Sequence, residues 1–187
     1  EVLERGEATE ALLEAQRAGK TRFVGYSGDN EAALWAVESG LFDTLQTSFS
    51  IADQHARTRL FGPAKARNMG IIIKRPIANG AWGSERSPTA DLRHAPMRTY
   101  GDEYFRRVQL MARIGPIQGI PDDRFLAAIG FVLGHAEVDT AIVGTQNPAH
   151  MADNIERVER GLPVPPAAIE ELRHRFDELD DGWDQRI

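Results

Sequence analysis

The sequence predicts an α/β fold in which short apolar strands alternate with helices and pair in parallel. Four segments are rich in apolar or β-branched residues and short enough to be strands: 22–27, 44–49, 71–73 and 139–143. A helical pattern follows each strand, and this alternation requires parallel pairing through right-handed crossovers. We therefore predict the C-terminal four βα units of a (β/α)8 TIM barrel plus a C-terminal helix, as a single domain over residues 1–187.

The helices are predicted from apolar residues at helical spacing and from their capping residues. Before the first strand, a small-residue stripe at positions 8, 11, 12, 15 and 18 ends at Gly19. Between the strands, helices are expected over about 32–40, 56–69, 101–113 and 122–135. Residues 75–100 hold many Gly and Pro residues and predict a long loop, of the kind that covers an active site in such barrels.

Two more helices are predicted after the last strand. Asn147 is a suitable N-cap with Pro148 at the first helical position, and we expect this helix to turn Met151, Ile155 and Val158 inward. A final helix follows Pro166 and carries one apolar stripe, formed by Ile169, Leu172, Phe176 and Leu179.

Composition excludes several classes of function. The net charge of −6 argues against a surface for nucleic-acid phosphates or anionic lipid, so we expect neither nucleic acid nor membrane as a partner. The chain has no cysteine and no apolar run of the roughly 20 residues that a membrane span needs. We predict a cytoplasmic protein, and because the sequence begins at Glu1 inside a helical pattern, a trimmed or incompletely represented one.

In parallel barrels the ligand site lies where each strand gives way to its loop. The residues at these points are Ser27, Gln46, Lys74–Arg75 and Gly144–Thr145. Ser27 and Gln46 offer neutral donors and acceptors for an amide or carbonyl, or are ordinary strand-end polar residues. Two cations after a run of isoleucines require an anion; a ligand and a salt bridge to an acidic loop remain equal alternatives.

The segment Gly144-Thr145-Gln146-Asn147-Pro148 places a glycine and a capped helix start directly after a strand. Backbone N–H groups at such a helix start suit a phosphate, although a plain tight turn would have a similar sequence. The histidines are scattered without metal-ligand spacing, so no metal site is predicted. Sequence fingerprints of serine hydrolases, P-loop NTPases and Rossmann folds are also missing.

Two separated motifs carry a resemblance to a known family. The segment 17–27, RAGKTRFVGYS, resembles the fifth-strand motif of the aldo-keto reductases, and 142–154, IVGTQNPAHMADN, is similar to their eighth-strand segment. Gln46 and the segment 73–80, IKRPIANG, lie in the right order between these motifs. The resemblance spans about residues 7–160 and implies a (β/α)8 barrel that reduces aldehydes or ketones with NADPH, with NADH as the alternative.

The resemblance also implies roles for individual residues. Ser27 and Gln46 would hold the nicotinamide carboxamide, and residues 74–79 would run along the nicotinamide and pyrophosphate, including Lys74, Arg75, Pro76, Ile77 and Asn79. The adenosine end and its 2′-phosphate would be surrounded by residues of the last motif: Gly144, Thr145, Gln146, His150, Asp153 and Asn154.

Several positions depart from the family pattern. Gly28 stands where the family often has Asn, Lys74 where an aromatic residue stacks on the nicotinamide, and Gly144 and His150 where many members have Lys and Arg. The family's Asp, Tyr, Lys and His tetrad belongs to the first four strands, upstream of Glu1. Because no tyrosine of this chain matches the proton donor, we predict no catalytic residue here.

Three functional hypotheses follow from the resemblance. The chain is the cofactor-binding part of a reductase whose other half-barrel is its missing partner, with a small carbonyl compound as substrate. Alternatively, it is a non-catalytic regulatory protein resembling potassium-channel β subunits, or an inert fragment. A half-barrel alone would expose two unpaired strand edges, so such a chain should swap, pair with another copy of itself or aggregate.

Overall fold

Four parallel strands lie side by side in one sheet, in the order in which the chain makes them. The computed structural model describes residues 2–83, 100–145, 147–162 and 164–183. Its strands are β1 (Gly25–Ser27), β2 (Thr44–Ser48), β3 (Gly70–Lys74) and β4 (Thr140–Ala141). Every neighbouring pair is parallel, which confirms the predicted α/β class.

The helices alternate with these strands and cover one side of the sheet. They are α1 (Val2–Arg5), α2 (Glu7–Arg17), α3 (Asn30–Ser39), α4 (Gly62–Ala66), α5 (Tyr100–Arg113), α6 (Arg124–Leu133), α7 (Pro148–Glu159) and α8 (Pro166–Leu179). Helix α3 packs on β1 and β2, α4 on β3, and α6 on β4. Within the described ranges, no helix has the length and apolar character that crossing a membrane demands.

Two strands are shorter than the sequence predicts, and before the first of them side chains bond the backbone groups of the missing residues. The predicted strand 22–27 begins only at Gly25. The Gln16 amide donates to the carbonyl of Arg22 at 3.1 Å, and the Val24 N–H donates to the Asp43 carboxylate at 2.8 Å. Strand β4 keeps two of the five predicted residues, although the Ile142 N–H still donates to the Ile73 carbonyl at 2.8 Å.

The predicted helix 56–69 is also modified. Its first part is a π-helical turn, Arg57–Phe61, which runs directly into α4. Pro63 follows that turn and has no N–H to donate back to the preceding turn, which favours irregular geometry there. The predicted loop 75–100 begins with a 3-10 segment at Ala78–Gly83, and its residues 84–99 lie outside the described ranges.

The two faces of the sheet differ in chemistry. On one face Leu45, Ile71 and Ile73 are fully buried and join the main apolar core. On the other face Ser27, Gln46 and Ile72 occupy neighbouring register positions on β1, β2 and β3. This second face therefore presents a polar pair from adjacent strands, with Ser27 at the end of β1 and Gln46 in the middle of β2.

An aromatic cluster forms the centre of the core. The Phe49 ring lies 5.0 Å from that of Phe61, 5.5 Å from that of Phe131 and 4.7 Å from the imidazole of His135, between ring centroids. The predicted stripe of α8 contributes Ile169, Leu172 and Phe176 as buried members, while Leu179 is only partly buried. Helix α8 thereby covers the core and contacts α5.

The prediction for the inner face of α7 is wrong. Met151, Ile155 and Val158 are 38%, 52% and 36% exposed, and no described residue of α7 is buried. Instead, Asn154 and Arg157 on the neighbouring stripe are half-buried. The physical reason is that α7 packs on α6 through its polar side, so the apolar stripe has no described neighbour to cover it.

Candidate functional site at the strand ends

Ser27, the last residue of β1, lies directly opposite Gln46, the central residue of β2. The Gln46 side-chain N–H donates to the Ser27 hydroxyl oxygen at 2.8 Å. This arrangement leaves the Ser27 O–H to donate and the Gln46 amide oxygen to accept. The pair therefore presents one donor and one acceptor on the exposed face, as recognition of a carboxamide requires.

Gly28 follows Ser27 in the chain and packs against the side chain of Tyr26. A Cβ added to Gly28 would lie 2.4 Å from the Tyr26 hydroxyl oxygen and 2.7 Å from the nearest ring carbon. The tyrosine ring is held in turn against Phe42, with ring centroids 5.8 Å apart. A larger residue at position 28 would collide with this ring, which accounts for a glycine where the aldo-keto reductases often have Asn.

A buried carboxylate, Asp29, receives two cations at the end of β3: Lys74, the last residue of the strand, and Arg75, which follows it. The Lys74 ammonium lies 2.8 Å and an Arg75 guanidinium nitrogen 3.8 Å from Asp29 Oδ2, while the carboxylate side chain is fully buried. Thr47 and Ser48 complete the shell: the Thr47 hydroxyl donates at 2.9 Å and the Ser48 N–H at 2.7 Å. Of the two alternatives for the cations, the structure contains the salt bridge.

The environment of Asp29 stabilises its charged form. Burial raises its pKa, but hydrogen bonds from Lys74, the Ser48 N–H and Thr47, together with the ammonium charge, outweigh burial and lower the pKa below its usual value. The side chain does not cap α3, although Asp29 is its N-cap residue. Asp29 instead fixes the directions of Lys74 and Arg75 at the strand-end edge.

The segment after β3 turns sharply through left-handed backbone conformations. Arg75, Ala78 and Asn79 have φ values of 57°, 49° and 54°, and Gly80 follows at 80°. The turn is closed by the Ala78 N–H, which donates to the Arg75 carbonyl at 2.9 Å. Non-glycine residues in this region cost about 1–3 kcal/mol each and cluster at ligand-binding segments. Residues 74–79, which the resemblance to the family predicts to be part of the site, form this turn.

A pocket of about 470 Å³, the α7 pocket, lies beside helix α7. Its lining includes five of the residues predicted from the last motif, together with one from the β3 turn: Gly144, Thr145, His150, Asp153, Asn154 and Ile77. The remaining lining residues are Phe125, Val143 and Arg157. The fold therefore brings the last motif and the segment after β3 together at one concave surface.

The entrance to α7 has the predicted cap. The Asn147 side-chain oxygen accepts from the Ala149 N–H at 3.0 Å, and the Thr145 hydroxyl accepts from the Asn147 N–H at 3.2 Å. A Cβ at Gly144 would meet no heavy atom within 4 Å, so the backbone there borders open space. Gln146, also predicted as a site residue, lies outside the described residues.

The two tyrosines whose side chains are described differ from a proton donor in chemistry. Burial, with the nearby Asp29 charge, raises the pKa of Tyr26. Tyr104 is fully buried, donates to Asp53 at 3.2 Å, and has its pKa raised mainly by burial. Donation at neutral pH is easier from a phenol with a lowered pKa.

Sequence reasoning missed Asp29, Phe125 and Arg157. The position of Asp29 just after β1 was a usable signal, because residues that follow the strands of a parallel sheet meet at one edge. Arg157 lies three and four residues after Asn154 and Asp153, a spacing that shares one helix face. Phe125 at the start of α6 gave no such signal, since only tertiary packing brings α6 beside α7.

The parallel sheet, with helices packed against its strands and a polar pair on one face, defines a protein of the α/β class. The model of the Aldo/keto reductase family matches residues 3–173, and the chain belongs to that family. No curated protein matches the chain.

Solved structures share this fold. The chain is similar to aldo-keto reductase AKR11C1 from Bacillus halodurans in its holo form, with a TM-score of 0.67 and 18% identity over 90% of the chain and 55% of that structure. The glycerol dehydrogenase AKR11B4 from Gluconobacter oxydans gives a TM-score of 0.64 and 16% identity, over 97% of the chain and 57% of that structure. The chain spans about half the length of these structures.

Proposed function

We propose that this chain is the cofactor-binding part of an NADP-dependent aldo-keto reductase, corresponding to strands five to eight of its barrel. The observation that carries the proposal is the Ser27–Gln46 pair at the same sheet edge as the α7 pocket, because carboxyl ends of parallel strands meet at one edge. A dinucleotide needs both a carboxamide site and a separate adenosine site.

The residues present fit such a group. The Ser27 hydroxyl and the Gln46 amide oxygen match the acceptor and donor of a carboxamide. At the other end, the pocket offers Asp153 and Asn154 for ribose or adenine polar groups, and the apolar Ile77, Phe125 and Val143 for the base. The turn at Arg75–Asn79 lies between these two sites along the chain.

The chemistry of the bound nicotinamide is hydride transfer to a carbonyl carbon. The residues of this chain orient the ring rather than move protons. Ser27 and Gln46 would fix which face of the nicotinamide ring is presented to the substrate. Asp29 holds the Lys74 ammonium at the end of β3, the strand next to the one that carries Gln46. Aldehydes or ketones are the proposed substrates, with proton donation supplied by the tetrad of the other half-barrel.

NADP remains our proposed cofactor, with NAD as the alternative. The proposal for NADP comes from the family, whereas Gly144 and His150 lack the permanent positive charges that many members place there. The regulatory alternative shares the cofactor site, so it differs from the reductase only in lacking turnover.

Cofactor titration tests the proposal. NADPH and NADH are titrated into the purified chain while nicotinamide fluorescence is followed, and saturable enhancement is expected for at least one of them. Gln46→Ala should weaken binding about fivefold to tenfold, since one hydrogen bond to the carboxamide is lost. Gln118→Ala, at an exposed glutamine between α5 and α6, is the matched control.

Two results would contradict the proposal. One is an unchanged fluorescence signal with both nucleotides, provided that circular dichroism shows a folded chain. The other is equal weakening by the two glutamine substitutions, because a general loss of stability would then explain the effect. Recovery of activity with an aldehyde after adding the other half-barrel would distinguish the reductase from the regulatory alternative.

A further inference from the structure

The α7 pocket has one permanent cation in its described lining, Arg157. The other ionisable residues lining it are His150 and Asp153. Arg157 is half-buried on the stripe of α7 that faces α6, one turn after Asp153 and Asn154. An anionic group in this pocket would therefore have Arg157 as its strongest available partner.

Asp123 holds Arg157 at the edge of the pocket. The Arg157 Nε lies 3.4 Å from Asp123 Oδ2. The other carboxylate oxygen, Oδ1, caps α6 by accepting from the Phe125 and Leu126 N–H groups at 3.0 and 3.1 Å. The cap fixes the carboxylate, and the carboxylate in turn orients the guanidinium beside Phe125.

The contact with Asp123 also partly neutralises the positive charge that Arg157 presents to a ligand. Both side chains of the pair are partly exposed, 42% for Arg157 and 33% for Asp123, so the pair is weak enough to open. A dianionic phosphate is a stronger partner than one carboxylate and accepts two parallel guanidinium hydrogen bonds. A ribose hydroxyl offers no such compensation for breaking the contact with Asp123.

We propose that Arg157, oriented by Asp123, contacts the adenosine 2′-phosphate and is the residue that makes this chain discriminate NADP from NAD. The proposal rests on the proposed function, because it assumes that the pocket receives the adenosine end. Arg157 replaces, from a different position on α7, the positive charges that Gly144 and His150 do not supply. Asp123 acts as a positioning residue that moderates this preference.

The test uses adenosine-end probes, which bind without the nicotinamide site. Binding of 2′,5′-ADP and 5′-AMP to the chain is measured by calorimetry at low salt. Arg157→Gln should weaken 2′,5′-ADP about tenfold and leave 5′-AMP within about twofold, since only the former carries the extra phosphate. Asp123→Asn keeps Oδ1 for the cap and should tighten 2′,5′-ADP about threefold by releasing Arg157.

Arg160→Gln is the matched control. Arg160 is the C-cap residue of the same helix, is 74% exposed, pairs with Glu156 and does not line the pocket. Its substitution should leave the affinity for both probes unchanged. Thermal unfolding of each variant shows that the helix is intact.

The outcomes separate this proposal from the one on which it rests. If the chain binds 2′,5′-ADP and Arg157→Gln binds it equally well, the role of Arg157 is overturned while the cofactor site stands. The same conclusion follows if Arg160→Gln weakens 2′,5′-ADP as much as Arg157→Gln does. If the chain binds neither probe and neither NADPH nor NADH, the proposed function and the role of Arg157 fail together.

Discussion

The Lys74 ammonium lies 2.8 Å from the fully buried carboxylate of Asp29, across the carboxyl ends of two non-adjacent strands. The hydroxyl of Thr47 and the backbone of Ser48, on the strand between them, donate to the same carboxylate. Three consecutive strand ends are therefore connected through one side chain. This contact fixes the strand-end edge on which the proposed cofactor site depends.

Removing one partner of this ion pair should destabilise the chain strongly. Lys74→Met leaves a buried carboxylate without its closest cation, and we expect a loss of about 2–4 kcal/mol in the free energy of unfolding, measured in urea. Lys65→Met is the control, because the Lys65–Asp139 pair is largely exposed and should contribute no more than about 1 kcal/mol. Equal losses for the two variants would refute a special role for Asp29.

His135 should make the chain less stable in acid. It is 1% exposed, its Nδ1–H donates to the Phe131 carbonyl at 2.7 Å, and its Nε2 accepts from Arg173 at 3.0 Å, so the ring is neutral. Burial, only partly offset by the bond to Phe131, lowers its pKa from 6.5 to about 4. The unfolded chain therefore binds more protons between these values, and stability falls as the pH decreases through that window.

The size of this effect is about 3 kcal/mol between pH 6.5 and 4, from about 1.4 kcal/mol per unit of pKa difference. Urea unfolding at a series of pH values measures it. His135→Asn should flatten the slope in this window relative to the unsubstituted chain. His174→Asn is the control, because His174 is 66% exposed and lies 3.4 Å from Glu178 on its own helix. A slope that survives in His135→Asn would contradict the assignment.

His55 should act in the opposite direction. Its Nδ1 lies 3.2 Å from Asp53 and its Nε2 3.0 Å from Asp180, so a protonated ring connects the loop after β2 to the end of α8. The hydrogen bond to Asp53 outweighs burial and raises the pKa of His55 above 6.5. The stability from this contact is fully present below pH 6.5 and is lost as the pH rises through the raised value.

Replacement of His55 tests this contribution. His55→Gln should remove stability at pH 6 and have little effect at pH 9, as measured by the urea midpoint. The same difference at both pH values would mean that packing of the ring against Phe176, with centroids 5.3 Å apart, matters more than its charge.

Gly28 should tolerate no side chain while Tyr26 keeps its position. Gly28→Ala places a Cβ 2.4 Å from the tyrosine hydroxyl oxygen, and we expect a loss of about 1–3 kcal/mol with an altered near-ultraviolet spectrum. Gly144→Ala is the control, because open space surrounds its Cβ position. In Tyr26→Leu, the further substitution Gly28→Ala should cost much less; a full additional loss would show that backbone conformation, rather than the ring, requires glycine.

The parts of the fold predicted most accurately depend on local sequence. The isoleucine run at 71–73 lies in strand β3 with Ile71 and Ile73 buried, the stripe of α8 is buried through Phe176, and Asn147 caps α7 as its position before Pro148 indicates. These outcomes follow from side-chain periodicity and capping chemistry within a few residues. The start of β1 was mispredicted because the Asp43 side chain bonds the backbone there, and the buried side of α7 was mispredicted because it depends on packing against α6. Both partners are distant in sequence.

The residues of the candidate site also divide into those that the sequence predicts and those that depend on tertiary contacts. Ser27 and Gln46 were found from sequence because strand ends converge in a parallel sheet, and their hydrogen bond agrees with that expectation. The salt bridge of Lys74 was one of two open alternatives, because sequence reveals two cations but not which carboxylate is buried nearby. Arg157 was missed because its position depends on the cap of another helix.

By itself, the sequence determined the alternation of strands and helices, the parallel pairing, and the strand-end positions from which a ligand site is built. These follow from hydrophobic periodicity and from the geometry of crossover connections. Only the tertiary structure decided that Asp29 neutralises Lys74, that Tyr26 excludes a side chain at position 28, and that Asp123 places Arg157 beside the α7 pocket. Charge pairing and steric exclusion act between residues far apart in sequence, so only the folded chain brings these groups into contact.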